Sequence, residues 1–88
     1  MKVVRKAVAG SLESSDVLVS LEPAAEGISI KVDSVVFKQW GDSIKALAAD
    51  MLDKAGVREA RLEIRDRGAL ECTLRARLET VLGRACRA

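Results

Sequence analysis

Two stretches of strict alternation frame the chain. Ile28-Ser29-Ile30-Lys31-Val32-Asp33 and Ala60-Arg61-Leu62-Glu63-Ile64-Arg65 each place an apolar side chain at every second position. That period puts all the apolar groups on one face of an extended strand and leaves the other face wet. Between them the period changes: Val36, Trp40, Ile44, Leu47 and Met51 recur at spacings of three and four, the stripe of an amphipathic helix. Ser34 is placed to cap the start of that helix and Gly56 to end it. A strand, a helix and a second strand in one sheet cross over right-handed, so residues 28–33 are expected to lie roughly parallel to 60–65.

The flanks extend this unit. Asp16-Val17-Leu18-Val19-Ser20-Leu21 is rich in β-branched residues and reads as a strand with Val17, Val19 and Leu21 on one face. Glu22 to Gly27 reads as a turn that makes this strand a hairpin with residues 28–33. A short extended piece over Val3 to Ala9 adds an edge strand. After the turn Asp66-Arg67-Gly68, the positions Leu70, Leu74, Leu78, Val81 or Leu82, and Ala85 form a second helical stripe. The expected architecture is an α+β two-layer sandwich, a mostly antiparallel sheet of three to four strands with two helices on one face. At 88 residues the chain holds one modest core, so residues 1–88 are read as a single domain.

Charge excludes little by itself. Fifteen Lys and Arg against thirteen Asp and Glu leave a net +2, too slight to argue for nucleic acid. The arginines of the second half, among them Arg75 and Arg77, alternate with Glu63, Glu71 and Glu79 as a solvated charged face does. No apolar run reaches membrane-spanning length, and no signal-peptide core follows Met1-Lys2-Val3-Val4-Arg5-Lys6. A cytoplasmic protein with no membrane partner is expected. Cys72 and Cys86 fall fourteen positions apart on one expected helix, about 21 Å along its axis, beyond disulfide reach. They are read as reduced, half-buried packing residues.

Most catalytic chemistry is missing. The chain has no histidine, which removes Ser-His-Asp and Cys-His machinery and the common zinc sites. Ala9-Gly10-Ser11 and Arg67-Gly68-Ala69 match neither a P-loop nor a dinucleotide fingerprint. An RNA-recognition sheet needs aromatic residues on its strands, and here Phe37 and Trp40 both fall on the first helix. What stands out is the serine cluster Ala9-Gly10-Ser11-Leu12-Glu13-Ser14-Ser15-Asp16. Glu13 and Asp16 on such a segment are expected to titrate near their usual values. A serine hydroxyl with no base beside it is a poor nucleophile, yet it can accept a group that another enzyme installs.

The stretches "AGSLESSDVLV" (9–19) and "DRGALECTLRARLETVLGRA" (66–85), with "VVFKQWGDSI" (35–44) between them, together resemble the acyl carrier protein, or γ subunit, of bacterial citrate lyase. The resemblance implies a covalent prosthetic group, 2'-(5''-phosphoribosyl)-3'-dephospho-CoA, joined by a phosphodiester to Ser14, with adjacent Ser15 as the alternative. It implies three partners: an α subunit that exchanges acetyl for citryl on the carried thioester, a β subunit that cleaves the citryl group to oxaloacetate, and a prosthetic-group transferase. The carrier makes no bond itself. Arg75 and Arg77 are candidates for binding the arm's phosphates or an acidic partner surface, and Glu13 and Asp16 for solvating flanks that keep the loop exposed and mark it for the modifying enzyme. The family commonly continues past the position of Ala88 into a short apolar, proline-containing tail. Gly41-Asp42-Ser43-Ile44 resembles the phosphopantetheine site of ordinary acyl carrier proteins, but those are acidic helical bundles, and Ser43 is expected on the polar side of the first helix. The other readings are the carrier of a related complex such as malonate decarboxylase and, from a different class, an RNA-binding or assembly module.

Overall fold

The computed structural model describes residues 1–34 and 38–87. The elements are β1 (Lys2–Val3), β2 (Ala7–Gly10), β3 (Val17–Glu22), β4 (Ile28–Ser34), α1 (Lys38–Lys54), β5 (Ala60–Asp66), α2 (Glu71–Ala85) and β6 (Cys86–Arg87). Four strands form one sheet in the order β2-β3-β5-β4, and β1 pairs with β6 separately. β2 and β3 are antiparallel, as are β3 and β5, whereas β4 runs parallel to β5 with Ile30 opposite Leu62.

The expected hairpin between residues 16–21 and 28–33 does not form. β5 lies between those strands, and β3 pairs with β2 instead. Burial explains the order. β5 turns Ala60, Leu62, Ile64 and Asp66 inward, all buried, and a strand with so complete an inner row belongs in the centre. β4 leaves Ile28 41% exposed and Ile30 and Val32 half-buried, as an edge strand does. A link over residues 23–27 is short enough for a hairpin and also long enough, at about 3.3 Å per residue, to pass one intervening strand about 4.8 Å wide. Its length therefore does not choose between the two. The expected edge strand over Val3–Ala9 is split between β1 and β2 where the N–H groups of Val4 and Arg5 both donate to Ala85 O.

Both helices cover one face of the sheet, α1 against β4 and α2 against β2 and β3. Ile44, Ala48 and Leu52 from α1 and Leu74, Leu78, Val81, Leu82 and Ala85 from α2 meet Val17, Val19, Leu21, Leu62 and Ile64 in one core. Gly56 ends α1 as the sequence suggests, with φ +74. Its N–H donates to Asp53 O and that of Val57 to Leu52 O, both at 3.0 Å, the paired bonds of a Schellman cap with Leu52 and Val57 both buried beneath it. The start of this helix, with Val36 and Phe37, lies outside the described residues. Ser34 closes β4, and its hydroxyl donates to Asp66 Oδ2 at 2.9 Å. Leu70 departs from the expected stripe: it is the extended N-cap of α2 and 71% exposed. Cys86 begins β6 rather than sharing α2 with Cys72, and Cys72 is exposed rather than half-buried. The Cys86 thiol packs against the core, and burial raises its pKa.

Candidate functional site

The serine cluster is the loop of the β2–β3 hairpin, and its shape starts at Gly10. At φ +93 a side chain is strained, and a Cβ there would sit 1.8 Å from the Val17 carbonyl oxygen. Only glycine fits that approach. Ser11 N–H donates to Val17 O at 3.2 Å, and its hydroxyl reaches across the loop to Asp16 Oδ2 at 2.6 Å while accepting from Glu13 N–H at 3.2 Å. Residues 13–16 form a tight turn closed by Asp16 N–H donating to Glu13 O at 3.1 Å. Ser15 takes φ +67 at the third position, where a type II turn requires a positive value. For a non-glycine residue this conformation costs about 1 kcal/mol, so the surroundings must hold it.

They hold it from two sides. Ser15 N–H donates to Arg67 O at 2.8 Å, and Arg67 N–H donates to Asp16 O at 2.9 Å, continuing the β3–β5 ladder past its last strand pair. From α2, Arg77 places Nε on Asp16 Oδ1 and Nη2 on Asp16 Oδ2, each at 3.1 Å. Gly10 contributes again, since a Cβ there would stand 3.3 Å from Arg77 Cδ. Val17 N–H completes the set with a 2.7 Å bond to Asp16 Oδ1. The Ser11 hydroxyl first, then Arg77 and Val17 N–H, all favour the charged form and lower the Asp16 pKa to about 2. Asp16 is therefore not the solvating flank its sequence suggests. It is the group around which the loop is built.

The base of the arrangement is the β5–α2 turn. Asp66 is 2% exposed, and besides the Ser34 hydroxyl it accepts Ala69 N–H on Oδ1 at 3.0 Å. It ties the end of β4 and the approach to α2 to the turn that carries Arg67. Ser14, at the second position of the 13–16 turn, is exposed. Among the described residues it alone of those four makes no hydrogen bond. Ser15 is also exposed, but its backbone is bound. Among the described residues no basic or acidic group is bonded to the Ser14 hydroxyl.

The remaining sequence candidates lie elsewhere. Arg75 pairs with Glu71 one helical turn away at 3.3 Å, an exposed pair of little energetic consequence. Arg77 is occupied by Asp16. Ser43 is exposed on α1, beside a cleft of about 30 Å³ that Trp40, Ile44, Leu47 and Leu74 line with Asp66. Among the described residues no group of three or more acidic or cysteine side chains is placed to hold a metal ion. Sequence reasoning missed Ser11, Asp66 and the Asp16 to Arg77 pair. Gly10 ahead of the polar run was the one local sign that the loop has a fixed shape.

The loop thus presents an exposed serine on a turn held from beneath by strand and helix, and the similarities of the whole chain are to carrier proteins. Residues 4–85 match the family model described as "ACP: Malonate decarboxylase delta subunit (MdcD)". The chain is 48% identical over 87 residues to the citrate lyase acyl carrier protein of Edwardsiella ictaluri, covering 97% of this chain and 88% of that protein. It is 45% identical over 85 residues to that of Rhodopseudomonas palustris, with the same coverage. A chain of the solved Pseudomonas malonate decarboxylase hetero-tetramer in complex with malonate superimposes with TM-score 0.76 at 28% identity, over 91% of this chain and 82% of that one. The chain belongs to the citrate lyase acyl carrier protein family, whose members are carriers, the non-catalytic subunits of enzyme complexes.

Proposed function

We propose that this protein is the carrier subunit of a citrate lyase complex and that Ser14 bears its prosthetic group, 2'-(5''-phosphoribosyl)-3'-dephospho-CoA. The observation that carries the site is the state of Ser14: exposed, at the outer corner of an ordered turn, with no hydrogen bond to give up before esterification. A transferase would bring Ser14 Oγ to the phosphorus of a phosphoanhydride donor bearing the group. The new P–O bond forms as the anhydride bond breaks, the donor's phosphates leave, and the serine proton passes to a base of the transferase.

When attached, the group supplies a terminal thiol that holds acetyl or citryl as a thioester. The chain's own contribution is placement. Gly10, Ser11, Asp16 and Arg77 fix the root of the arm, so its reach comes from the prosthetic group and not from a loose loop. An α subunit would exchange acetyl for citryl, releasing acetate, and a β subunit would cleave the citryl thioester to oxaloacetate and return the acetyl carrier. Tethering makes both encounters intramolecular and raises the effective concentration without new contacts. Among the described residues no helix is long and apolar enough to cross a membrane.

A second reading, the carrier of a malonate decarboxylase, is favoured by the family model and the superimposed structure. Identity of 44–48% to citrate lyase carriers against 28% to the malonate decarboxylase chain weighs toward citrate. Reconstitution decides. Modified protein mixed with citrate lyase α and β subunits is expected to release oxaloacetate on addition of citrate. Silence there, with malonate-dependent release of carbon dioxide when malonate decarboxylase subunits are supplied, establishes the second reading instead.

A further inference from the structure

Ser14 and Ser15 are adjacent, both exposed, and chemically equivalent as hydroxyls, so something other than intrinsic reactivity must choose between them. Their backbones differ. Ser15 is pinned to the body of the protein by its N–H on Arg67 O at 2.8 Å and held at φ +67, while Ser14 makes no such bond. An enzyme that esterifies a serine must surround the hydroxyl and the peptide groups beside it. It has that access at Ser14. At Ser15 it would have to displace the β5–α2 turn.

That difference lasts only while the turn keeps its shape. Asp16 anchors the turn's last residue through Arg77, the Ser11 hydroxyl and Val17 N–H. Without this anchor the positive φ at Ser15 has less to hold it, and Ser15 gains the freedom that Ser14 already has. Arg77 also acts electrostatically. It neutralises Asp16, leaving Glu13 as the only unpaired carboxylate in the loop to meet an anionic phosphoanhydride donor. An unpaired Asp16 would repel that donor.

We infer that the Asp16 to Arg77 clamp is a positioning and specificity device for modification: it holds the loop so that Ser14 rather than Ser15 is esterified. This rests on the reading of the loop as the attachment site. It assigns to Arg77 a role other than binding the arm's phosphates.

The test is the reaction of full-length wild type, Ser11→Ala, Asp16→Asn, Arg77→Met, and the exchanged pair Asp16→Arg with Arg77→Asp, with the prosthetic-group transferase and its donor. KM, kcat and the Ser14 to Ser15 ratio are read by peptide mapping, and thermal melts identify the folded variants. Ser11→Ala touches only the loop, so it remains informative if an Arg77 variant fails to fold. Arg61→Met removes an open-face pair to Glu22 at 2.6 Å and serves as the control. The expected result is wild type modified on Ser14 alone. Arg77→Met and Asp16→Asn should raise KM about tenfold, the weight of losing charge-assisted bonds, and yield product on Ser15 as well. The increase should be larger for Arg77→Met, the exchanged pair should recover part of the selectivity, and Arg61→Met should behave as wild type. Wild-type kinetics and Ser14-only product in folded Arg77→Met, Asp16→Asn and Ser11→Ala would overturn the inference. Absence of modification on either serine in the wild type would instead overturn the attachment reading.

Discussion

Arg77 on α2 grips Asp16 in the β2–β3 loop through two parallel bonds of 3.1 Å, joining residues 61 positions apart. The planar guanidinium matches both carboxylate oxygens at once, a fit that lysine could not reproduce. A hairpin loop is thereby referred to the helix layer as well as to the sheet, and the surface serine beside it has a defined position.

Asp16 should leave a mark on acid stability. Its carboxyl titrates at about 2 in the folded chain against the ordinary 3.8, so the unfolded chain binds the proton more tightly. The stabilisation is complete above the unfolded value and disappears as pH falls through the folded one. Urea midpoints followed from about pH 5 down to about pH 2 should therefore fall more steeply for wild type than for Asp16→Asn, which lacks this titration. Parallel curves would show that the Asp16 titration is not shifted by folding and that its charge adds nothing to stability.

Gly10 and Gly27 separate strain from collision. Both have positive φ, +93 and +83, but a Cβ at Gly10 strikes Val17 O at 1.8 Å, whereas at Gly27 nothing lies within 4 Å. Gly27→Ala should cost about 1 kcal/mol, the conformational penalty alone. Gly10→Ala must also move the backbone and should cost about 3 kcal/mol or more. Equilibrium denaturation of the two variants provides the comparison.

Leu70 is an N-cap without a capping side chain, extended at φ −71 and ψ 158 and 71% exposed. Leu70→Ser or Leu70→Asp supplies an oxygen for the unpaired N–H groups of the first turn of α2 and loses little burial. Either substitution should stabilise by about 1 kcal/mol, read as a higher melting temperature. A lower one would mean that the leucine has a packing role in the folded chain.

Asp66→Ala should be among the costlier single changes. It leaves the Ala69 N–H without its acceptor and removes the acceptor of the Ser34 hydroxyl beneath the loop, a loss of about 2–3 kcal/mol. Arg61→Ala, which breaks an exposed pair, should cost under about 1 kcal/mol. Chemical denaturation of both variants gives the contrast.

What the sequence showed follows the range of each interaction. Alternation at 28–33 and 60–65, the Gly56 cap and the stripes from Ile44 to Met51 and from Leu74 to Ala85 are local, and they read correctly, as did the parallel placement of β4 beside β5 that a helical connection imposes; Leu70, extended and 71% exposed, did not belong to its stripe. The pairing of β3 was misread because a link over 23–27 suits either neighbour, and the decisive fact, the complete inner row of β5, emerges only once the sheet is assembled. The loop proposed for attachment stood out in the sequence as a polar serine cluster and through family resemblance. Its keystone was not, because Asp16 and Arg77 are remote in sequence and neither carries a local signature. A carboxylate beside serines looks like a solvent-facing flank until the helix above it is in place.

The most direct test of the account is the mass of the mature protein. Wild type, Ser14→Ala and Ser15→Ala, each produced together with the maturation enzymes, should be compared by intact mass and peptide mapping. The account predicts one added phosphoribosyl-dephospho-CoA on the peptide containing Ser14 in wild type and in Ser15→Ala, and none in Ser14→Ala. An unmodified wild type, or an addition that persists in full in Ser14→Ala, would contradict it.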